Sequence, residues 1–441
     1  MKQRRVRMAL HSAALALGVV SYLAAPWPPV ALAGGALALA AALADPWPAV
    51  LLLPLAAPFY GVPKGVPWLP FAAPELLALL VIAGGLVQLA RAVPPLRTWR
   101  LGVWEVASGL FVGGAALATL TAYDPALAAR ELRVVVVEPA ACGYVAYRCL
   151  REPGRHAWLA AALVLSGVLV ALAAIQRGLA GDVVLAQGVA RLAGPYGSPN
   201  HLALYLDRVA PLAAALAWLG PPAVRRWAGG ALALLGAVAL LTWSLGGWLA
   251  LWVGSLVLLA AGGARRWAAG LAALSLALAL ALGLLLAADS PLPPERLRSY
   301  LDPETGTGLG RLGVWQAGLR MALAHPLLGV GPDNFRLHYA EYADEVWREP
   351  DLSHPHNLVL DAWLRAGLAG LAGYLALLAL TLRAAVRRAS GRPGWQRAVG
   401  AGVAAALAAG VTQGLVDRDY FAVDLAILFW LLWALAREDS A

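Results

Sequence analysis

Three short polar segments interrupt a chain that is otherwise strongly apolar, and each carries arginine or histidine. The first, 191–201, begins with Arg191, the second begins at Arg311, and the third contains His354 and His356. Guanidinium groups bind phosphate oxygens through paired hydrogen bonds, and a neutral imidazole can accept a proton from a hydroxyl. Together they predict attack of a hydroxyl on a carbon whose leaving group is a phosphate or pyrophosphate. The arginines would stabilise the charge on that leaving group.

Each segment taken alone has a plainer explanation. In 191–201 the glycines and prolines are typical of a turn before a helix, which Asn200 would cap. Arg311 would be a solvated charge at the start of a surface helix. Asp361 and Arg365, four residues apart, would pair on one helix face. Only the combination of the three segments favours catalysis.

The two histidines do not predict a metal site. Neither a cysteine nor a carboxylate stands beside them at the spacing typical of metal ligands. Pro355 is expected to hold His354 and His356 apart. We therefore predict a site without a metal, in which a histidine acts as general base.

The composition is that of a membrane protein. Of the 441 residues, 61% are hydrophobic and only 13% are charged, whereas soluble domains are about 45–50% apolar and about 25% charged. Continuous apolar runs of about 20 residues recur along the chain, which excludes a soluble enzyme, a disordered chain and a β-barrel. The sequence predicts an all-α, polytopic transmembrane protein with about 12–14 spans in one integrated membrane domain.

The net charge of +9 is explained by lysines and arginines in the loops between membrane spans, and it does not indicate a nucleic-acid partner. With the N-terminus in the cytoplasm, most lysines and arginines fall in loops on that same side, as the positive-inside rule requires. This predicts an even number of spans and two cytoplasmic termini.

One hydrophilic loop, 288–356, is much longer than the others, and the same count places it outside. It separates N-terminal transmembrane helices in 1–287 from C-terminal ones in 357–441. Apolar residues at helical spacing predict that it contains an amphipathic helix lying on the membrane face. These residues are Leu312, Trp315, Leu319, Leu323 and Leu327.

In combination, the polar segments resemble those of the O-antigen ligase and O-antigen polymerase superfamily of bacterial membrane glycosyltransferases. Segment 191–201 is similar to its Arg…Gly…Pro-Asn segment, and 315–335 is similar to the opening of its large periplasmic loop. His356-Asn357, followed by Gly367-Leu-Ala-Gly370, resembles its histidine signature. The resemblance runs from about 185 to 375.

The resemblance implies a GT-C-like fold in the bacterial inner membrane, with a periplasmic active site. The implied reaction is an inverting, metal-independent and cofactor-free transfer of a glycan from undecaprenyl pyrophosphate. His356 matches the catalytic base, Arg311 a pyrophosphate-binding catalytic arginine, and Arg191 a further arginine of the same cavity. We expect four more residues to contact substrate. They are Asn200, Arg208, His354 and Asn357.

The resemblance leaves the acceptor open. We favour ligation of the glycan to lipid A core, because the histidine motif fits that branch best. Polymerisation onto a second lipid-linked glycan and O-glycosylation of pilin remain alternatives within the superfamily. A transporter of lipid-linked sugars is an alternative outside it, since it would also need a cationic cavity within the membrane lipid.

The sequence departs from the superfamily at one position. Between two spans the family usually reads Ser-Arg-Gly, whereas this chain reads Ser244-Leu245-Gly246. A leucine cannot bind phosphate. Either another cation, Arg208 or Arg191, substitutes for the missing arginine, or the activity of this chain is impaired.

Overall fold

The computed structural model describes residues 2–61, 64–66, 69–91, 101–186, 188–287, 307–344, 352–391 and 394–437. Helices dominate because apolar runs rich in Ala and Leu satisfy their backbone hydrogen bonds internally. The helices are α1 (Lys2–Ala24), α2 (Pro28–Ala44), α3 (Trp47–Ala56), α4 (Ala73–Arg91), α5 (Val103–Leu120), α6 (Pro125–Glu131), α7 (Glu138–Cys149), α8 (Arg155–Leu179), α9 (Pro199–Leu219), α10 (Pro222–Leu241), α11 (Leu245–Ala261), α12 (Arg265–Ala287), α13 (Thr307–Ala324), α14 (Phe335–Tyr342), α15 (Leu358–Ala389), α16 (Trp395–Gly414) and α17 (Val423–Ala436).

Smaller elements join these helices. A π-helix, Leu132–Val137, connects α6 to α7, and 3-10 turns occupy Ala57–Phe59 and Gly194–Tyr196. Two antiparallel hairpins complete the described elements. They are β1 (Lys64–Val66) with β2 (Leu69–Phe71), and β3 (Val184–Ala186) with β4 (Val189–Arg191).

The fold is that of an all-α, polytopic membrane protein, as the sequence predicts. Among the described residues, six helices are long and apolar enough to cross a bilayer, namely α4, α5, α8, α9, α10 and α15. Five shorter apolar helices accompany them, namely Ala9–Ala24, Pro28–Ala44, Trp47–Phe59, Leu245–Ala261 and Val423–Ala436. The total number of spans and the side that each end faces stay predictions.

Glycines let the helices approach closely. A Cβ on Gly114 of α5 would lie 2.5 Å from the backbone nitrogen of Gly370 in α15. In the same way, a Cβ on Gly254 of α11 would lie 3.0 Å from the carbonyl oxygen of Ala405 in α16. Small residues are the usual basis of helix association in membranes, where burying apolar side chains gives no hydrophobic gain.

The helix ends gather at two opposite ends of the bundle. At the arginine end, Arg397 near the start of α16 donates to the carbonyl of Gly262 after α11 (2.8 Å). There too, Arg437 after α17 pairs with Glu105 near the start of α5 (2.6 Å). The other ends of α11, α16 and α17 lie at what we call the site end, where the polar segments meet.

The predicted helix of the large loop is α13, and it packs on α15. Val314, Ala317 and Met321 are buried in one cluster with Leu360 and Leu364. The predicted apolar stripe lies mostly on the opposite, exposed face. Leu312 and Leu319 are each 45% exposed, Leu323 62% and Leu327 72%. The contact of that face with the membrane surface and its periplasmic placement stay predictions. Residues 288–306 and 345–351 of this loop lie outside the described residues.

A kink in α15 joins this loop to the bundle. Gly367 has a left-handed backbone (φ 66°), which frees the carbonyl of Leu364 from its helical partner. That carbonyl accepts hydrogen bonds from the backbone nitrogens of Val330 (2.7 Å) and Gly331 (3.1 Å). The nitrogen of Leu368 donates to the carbonyl of Leu327 (3.1 Å). The Gly367 of the histidine signature is therefore required for the conformation of the backbone at this kink.

Gly367→Ala should destabilise the protein by about 2 kcal/mol or more, since a left-handed non-glycine residue costs about 1–2 kcal/mol before any clash is counted. The added Cβ would lie 2.1 Å from the carbonyl oxygen of Leu327. Thermal unfolding in detergent measures the effect. The matched control is Gly236→Ala in α10, where a Cβ meets nothing within 4 Å. Equal midpoints for the two variants would contradict the assigned strain.

Candidate functional site

Two loops at the site end are tied together by Asn357. The first loop, 352–357, precedes α15, and the second, 415–422, joins α16 to α17. The Asn357 side chain accepts hydrogen bonds from the nitrogens of Val359 (3.0 Å) and Leu360 (3.2 Å), which caps α15. Its Nδ2 donates to the carbonyl of Leu415 (3.1 Å). Asn357, expected to contact substrate, here holds the two loops in register.

One carboxylate of the second loop bridges both histidines of the first. Oδ1 of Asp417 lies 3.2 Å from Nδ1 of His356 and 3.3 Å from Nε2 of His354. The expectation that Pro355 holds the histidines apart is wrong, since their ring centroids are 4.1 Å apart. His356 has a left-handed backbone (φ 49°), which turns the chain back after the proline.

The contacts of His354 fix its protonation state. Nη2 of Arg418 lies 2.9 Å from Nδ1 of His354, whereas its Nε lies 3.4 Å from Nε2 of that ring. The shorter contact favours the tautomer in which Nδ1 accepts and the ring hydrogen sits on Nε2, facing Asp417. Burial, and next the charge of Arg418, lower the pKa of His354 from 6.5 to about 3. His354, expected to contact substrate, is thus a buried neutral imidazole that supports Asp417.

Asp417 is held as a carboxylate. Burial acts to raise its pKa, but the hydrogen bonds from His354 and His356 outweigh burial and hold the pKa well below its usual range. An ionised Asp417 accepts the Nδ1 hydrogen of His356, which leaves the lone pair of His356 on Nε2. The His356 side chain is 22% exposed, so this lone pair is available to a substrate hydroxyl. The arrangement is that of a general base oriented by a carboxylate.

The same three side chains have the composition of a metal site. Ligand atoms of His354, His356 and Asp417 lie within 4.8 Å of one another, and two histidines with a carboxylate is a common donor set for zinc. The guanidinium of Arg418 opposes a cation there, because it lies against His354. The observed geometry therefore fits a hydrogen-bonded base better than a metal centre. The sequence does not predict the contact of Asp417 with His356, because the two residues are 61 positions apart.

Arg365 of α15 contacts both loops. The predicted pair with Asp361 is confirmed, with Nε of Arg365 2.6 Å from Oδ1 of Asp361. In addition, Nη1 lies 2.6 Å from both carboxylate oxygens of Glu131, and Nη2 donates to the carbonyl of Ser353 (3.4 Å). The guanidinium also lies 5.1 Å from the ring centroid of Phe421 in the second loop. Glu131 is 234 residues away in sequence, and no local pattern indicates it.

Arg191 reaches the break between α10 and α11. Its Nε donates to the carbonyl of Thr242 (2.7 Å), and its Nη2 donates to Oδ1 of Asn200 (2.9 Å). Nε2 of Gln413, at the end of α16, donates to the carbonyl of Asn200 (3.2 Å). These contacts bring the Arg191 segment next to the loop that carries Asp417.

The predicted helix cap at Asn200 is wrong. The helix α9 begins at Pro199, and its cap is Ser198, whose hydroxyl oxygen accepts from the nitrogen of His201 (3.3 Å). Proline is favoured in the first turn of a helix because it has no N–H to satisfy. Asn200 therefore lies inside the first turn, where its side chain binds Arg191.

The two candidate substitutes for the missing arginine lie in different places. Leu245 is the first residue of α11 and is 40% exposed, three residues after the carbonyl that Arg191 binds. Arg208 is buried deeper in α9, where it donates to the carbonyl of Leu204 (2.6 Å) and pairs with Asp419. A guanidinium thus stands at the break, and it is that of Arg191.

Arg311 belongs to the large loop. It lies in α13 one turn before Trp315, whose indole nitrogen donates to the carbonyl of His356 (3.1 Å). Residues four apart share a helix face, so Arg311 lies on the face of α13 that meets the histidine loop. Arg191, Arg311 and His356 therefore all lie at the site end.

A second histidine–carboxylate pair lies beneath the site. Nε2 of His201 is 3.0 Å and 3.1 Å from the two carboxylate oxygens of Asp424, and the ring of Tyr196 stacks on His201 at 4.3 Å. All of these groups are at least partly buried, and Asp424 is fully buried. The pair fixes the start of α17 against α9, which in turn positions the loop that contains Asp417.

His354 should make the protein sensitive to acid. Because its pKa falls from 6.5 to about 3 on folding, the unfolded chain takes up a proton that the folded chain refuses. The contribution of neutral His354 to the free energy of unfolding is fully present above pH 6.5 and is lost as the pH falls. At pH 5 the loss is about 2 kcal/mol. The measurement is thermal unfolding at pH 7 and pH 5.

The test compares His354→Gln with His325→Gln, which changes an exposed histidine. The first variant should lose part of the acid sensitivity of the parent, whereas the second should keep it. The same pH dependence in both variants would show that the buried imidazole is not its source.

The comparison with protein families gives one match. Residues 230–375, about a third of the chain, match a family model described as O-Antigen ligase. The match includes the α10–α11 break, α13, His356 and the Gly367 kink, whereas Arg191 and Asp417 lie outside it. No curated protein matches the chain.

Proposed function

We propose that this chain is an O-antigen ligase, because its residues 230–375 match a family model described as O-Antigen ligase. In this proposal it transfers a glycan from undecaprenyl pyrophosphate to lipid A core at the periplasmic face of the bacterial inner membrane. The observation that carries the proposal is the His356–Asp417 pair, in which an ionised carboxylate orients an accessible imidazole.

The proposed reaction is a single displacement at the anomeric carbon. Nε2 of His356 accepts the proton of the acceptor hydroxyl while the hydroxyl oxygen forms its bond to that carbon. The bond from the carbon to the pyrophosphate oxygen breaks, and the pyrophosphate leaves with the electron pair. Attack from the side opposite the leaving group inverts the configuration. Asp417 stabilises the imidazolium, which later releases its proton to water.

The arginines bind the leaving group in this proposal. Arg311 lies one turn before Trp315, whose indole binds the histidine loop, and Arg191 stands at the α10–α11 break. Guanidinium groups match the geometry of diphosphate oxygens and cannot lose their charge near neutral pH. Because negative charge grows on the pyrophosphate as the bond breaks, these contacts stabilise the transition state more than the bound substrate.

The proposal is tested with the purified chain in proteoliposomes. Lipid-linked oligosaccharide is supplied with lipid A core or, in a parallel reaction, with further lipid-linked oligosaccharide alone. We expect the glycan on lipid A core. Longer lipid-linked glycans instead would identify a polymerase, and movement of unmodified donor across the bilayer without any transfer would identify a transporter. Either of those results overturns the ligase assignment.

His356→Ala should lower kcat about 100- to 10,000-fold, which is the usual contribution of a general base. Asp417→Asn should also lower kcat strongly, with little change in the KM for donor, because the amide can leave His356 in the wrong tautomer. The matched control is Asp344→Asn, which removes an exposed carboxylate paired with Arg320. Full turnover by His356→Ala would refute its role as base.

Leu245→Arg should raise the transfer rate, since it returns a guanidinium to the start of α11. The effect should be largest in an Arg191→Gln background. There Leu245→Arg should raise the transfer rate about tenfold or more, which corresponds to the free energy of one charge-assisted hydrogen bond. The parent and the three variants are compared at saturating acceptor. Equal rates with and without Leu245→Arg in both backgrounds would show that this position does not meet the pyrophosphate.

A further inference from the structure

The arginine end contains a cationic cleft that the proposed reaction does not use. The cleft has a volume of about 480 Å³ and lies between the ends of α7, α15 and α17 and the starts of α8 and α16. Three arginines and a histidine line it, with no acidic residue among the described residues of its wall. The lining residues are Tyr147, Leu150, Arg151, His156, Arg388, Gln396 and Arg437.

Aromatic rings hold one of these arginines in place. The guanidinium of Arg437 lies 4.4 Å from the ring centroid of Tyr147 and 5.1 Å from that of Trp433. Its Nη2 pairs with Glu105 (2.6 Å), whereas its buried Nη1 has no hydrogen-bond partner among the described residues. Stacking on rings costs a guanidinium none of its hydrogen-bond donors. A ligand atom that reached Nη1 would satisfy this donor.

The other two arginines enter the cleft from different helices. Arg151 follows α7, and its guanidinium lies 5.6 Å from the ring centroid of Tyr147, the same ring that Arg437 covers. Arg388 lies in the last turn of α15 and is 95% buried, since only 5% of its surface is exposed. The three guanidinium groups therefore share one cleft with the imidazole of His156.

The helix dipole explains only part of this arrangement. A cation in the last turn of a helix is favoured by the partial negative charge there, which accounts for Arg388 in α15 and more weakly for Arg151 and Arg437, which follow α7 and α17. It does not account for their convergence, because like charges in one partly buried cleft repel one another. A bound anion would offset this repulsion.

We propose that the cleft binds a phosphate-bearing anion. Its wall combines fork-shaped donors, an imidazole and the Gln396 amide, a set that matches phosphate oxygens. Basic pockets between transmembrane helices at the cytoplasmic surface characteristically hold the headgroups of anionic lipids. The positive-inside rule predicts that this end faces the cytoplasm. The bound phosphate group would therefore belong either to the headgroup of an anionic phospholipid or to free phosphate.

Titration of the delipidated, full-length protein tests the proposal by native mass spectrometry. The probes are phosphatidylglycerol, phosphatidylcholine and inorganic phosphate, each in a separate titration. Phosphatidylglycerol should bind most tightly if the source is a lipid headgroup, and inorganic phosphate should match it if the source is soluble. In either case, removal of one guanidinium should raise the Kd about fivefold.

The variants are Arg388→Gln and Arg151→Gln. Arg151 is exposed, so its substitution should not impair folding. The matched control is Arg387→Gln, because Arg387 is an exposed neighbour on the same helix end outside the cleft. We expect the control to keep the Kd of the parent. Equal binding by all three variants would overturn the proposal.

The acidic C-terminus gives one further outcome. Glu438 and Asp439 follow Arg437 in the sequence and lie outside the described residues. If Arg388→Gln and Arg151→Gln leave anion binding unchanged but lower thermal stability as much as a Glu438→Gln, Asp439→Asn double variant does, the cleft serves the chain's own carboxylates. That result overturns the assignment to a phosphate-bearing ligand.

Discussion

The site depends on one buried carboxylate that is kept charged. Asp417 can remain ionised away from water because two imidazoles and the backbone nitrogen of Arg418 donate to the same oxygen. Each imidazole in turn is fixed by something else, His354 by Arg418 and His356 by the turn of its own backbone. Removing any one of these contacts would leave a buried charge with incomplete solvation, which is far more costly than losing an exposed hydrogen bond.

A second charged group makes that geometry possible. The two loops that carry His356 and Asp417 have no regular structure, so their relative position depends on the bond from Asn357 to Leu415 and on contacts with the helices. Arg365 supplies these contacts, since it binds Asp361, Glu131 and the carbonyl of Ser353 at once. A buried ion pair adds little stability compared with apolar packing, but it specifies one arrangement. Here Arg365 contacts the first loop at Ser353 and the second at Phe421.

Local patterns in the sequence predicted the features that local physics decides. Apolar runs gave the helices, four-residue spacing gave the Asp361–Arg365 pair, and Ser244-Leu245-Gly246 marked the break before α11. Asp417 and Glu131 could not be paired with their partners, because contacts across 61 and 234 residues leave no periodic signal. One hint was present, since Asp417-Arg418-Asp419 is a charged triplet between two apolar runs. The proline rule failed at His356 because it assumed an extended backbone.

In the proposed reaction, the leucine at the start of α11 leaves Arg191 as the guanidinium at the break between α10 and α11. A pyrophosphate needs cations at fixed points in space, and the chain position that provides them is secondary. Arg191 ends strand β4, whose pairing with β3 sets its backbone, and its two hydrogen bonds aim the guanidinium at the carbonyl before the break. An arginine at 245 in addition would place two like charges close together, which the free site must tolerate and the bound pyrophosphate would relieve. A single guanidinium held by a hairpin avoids that repulsion, at the cost of one contact to the leaving group.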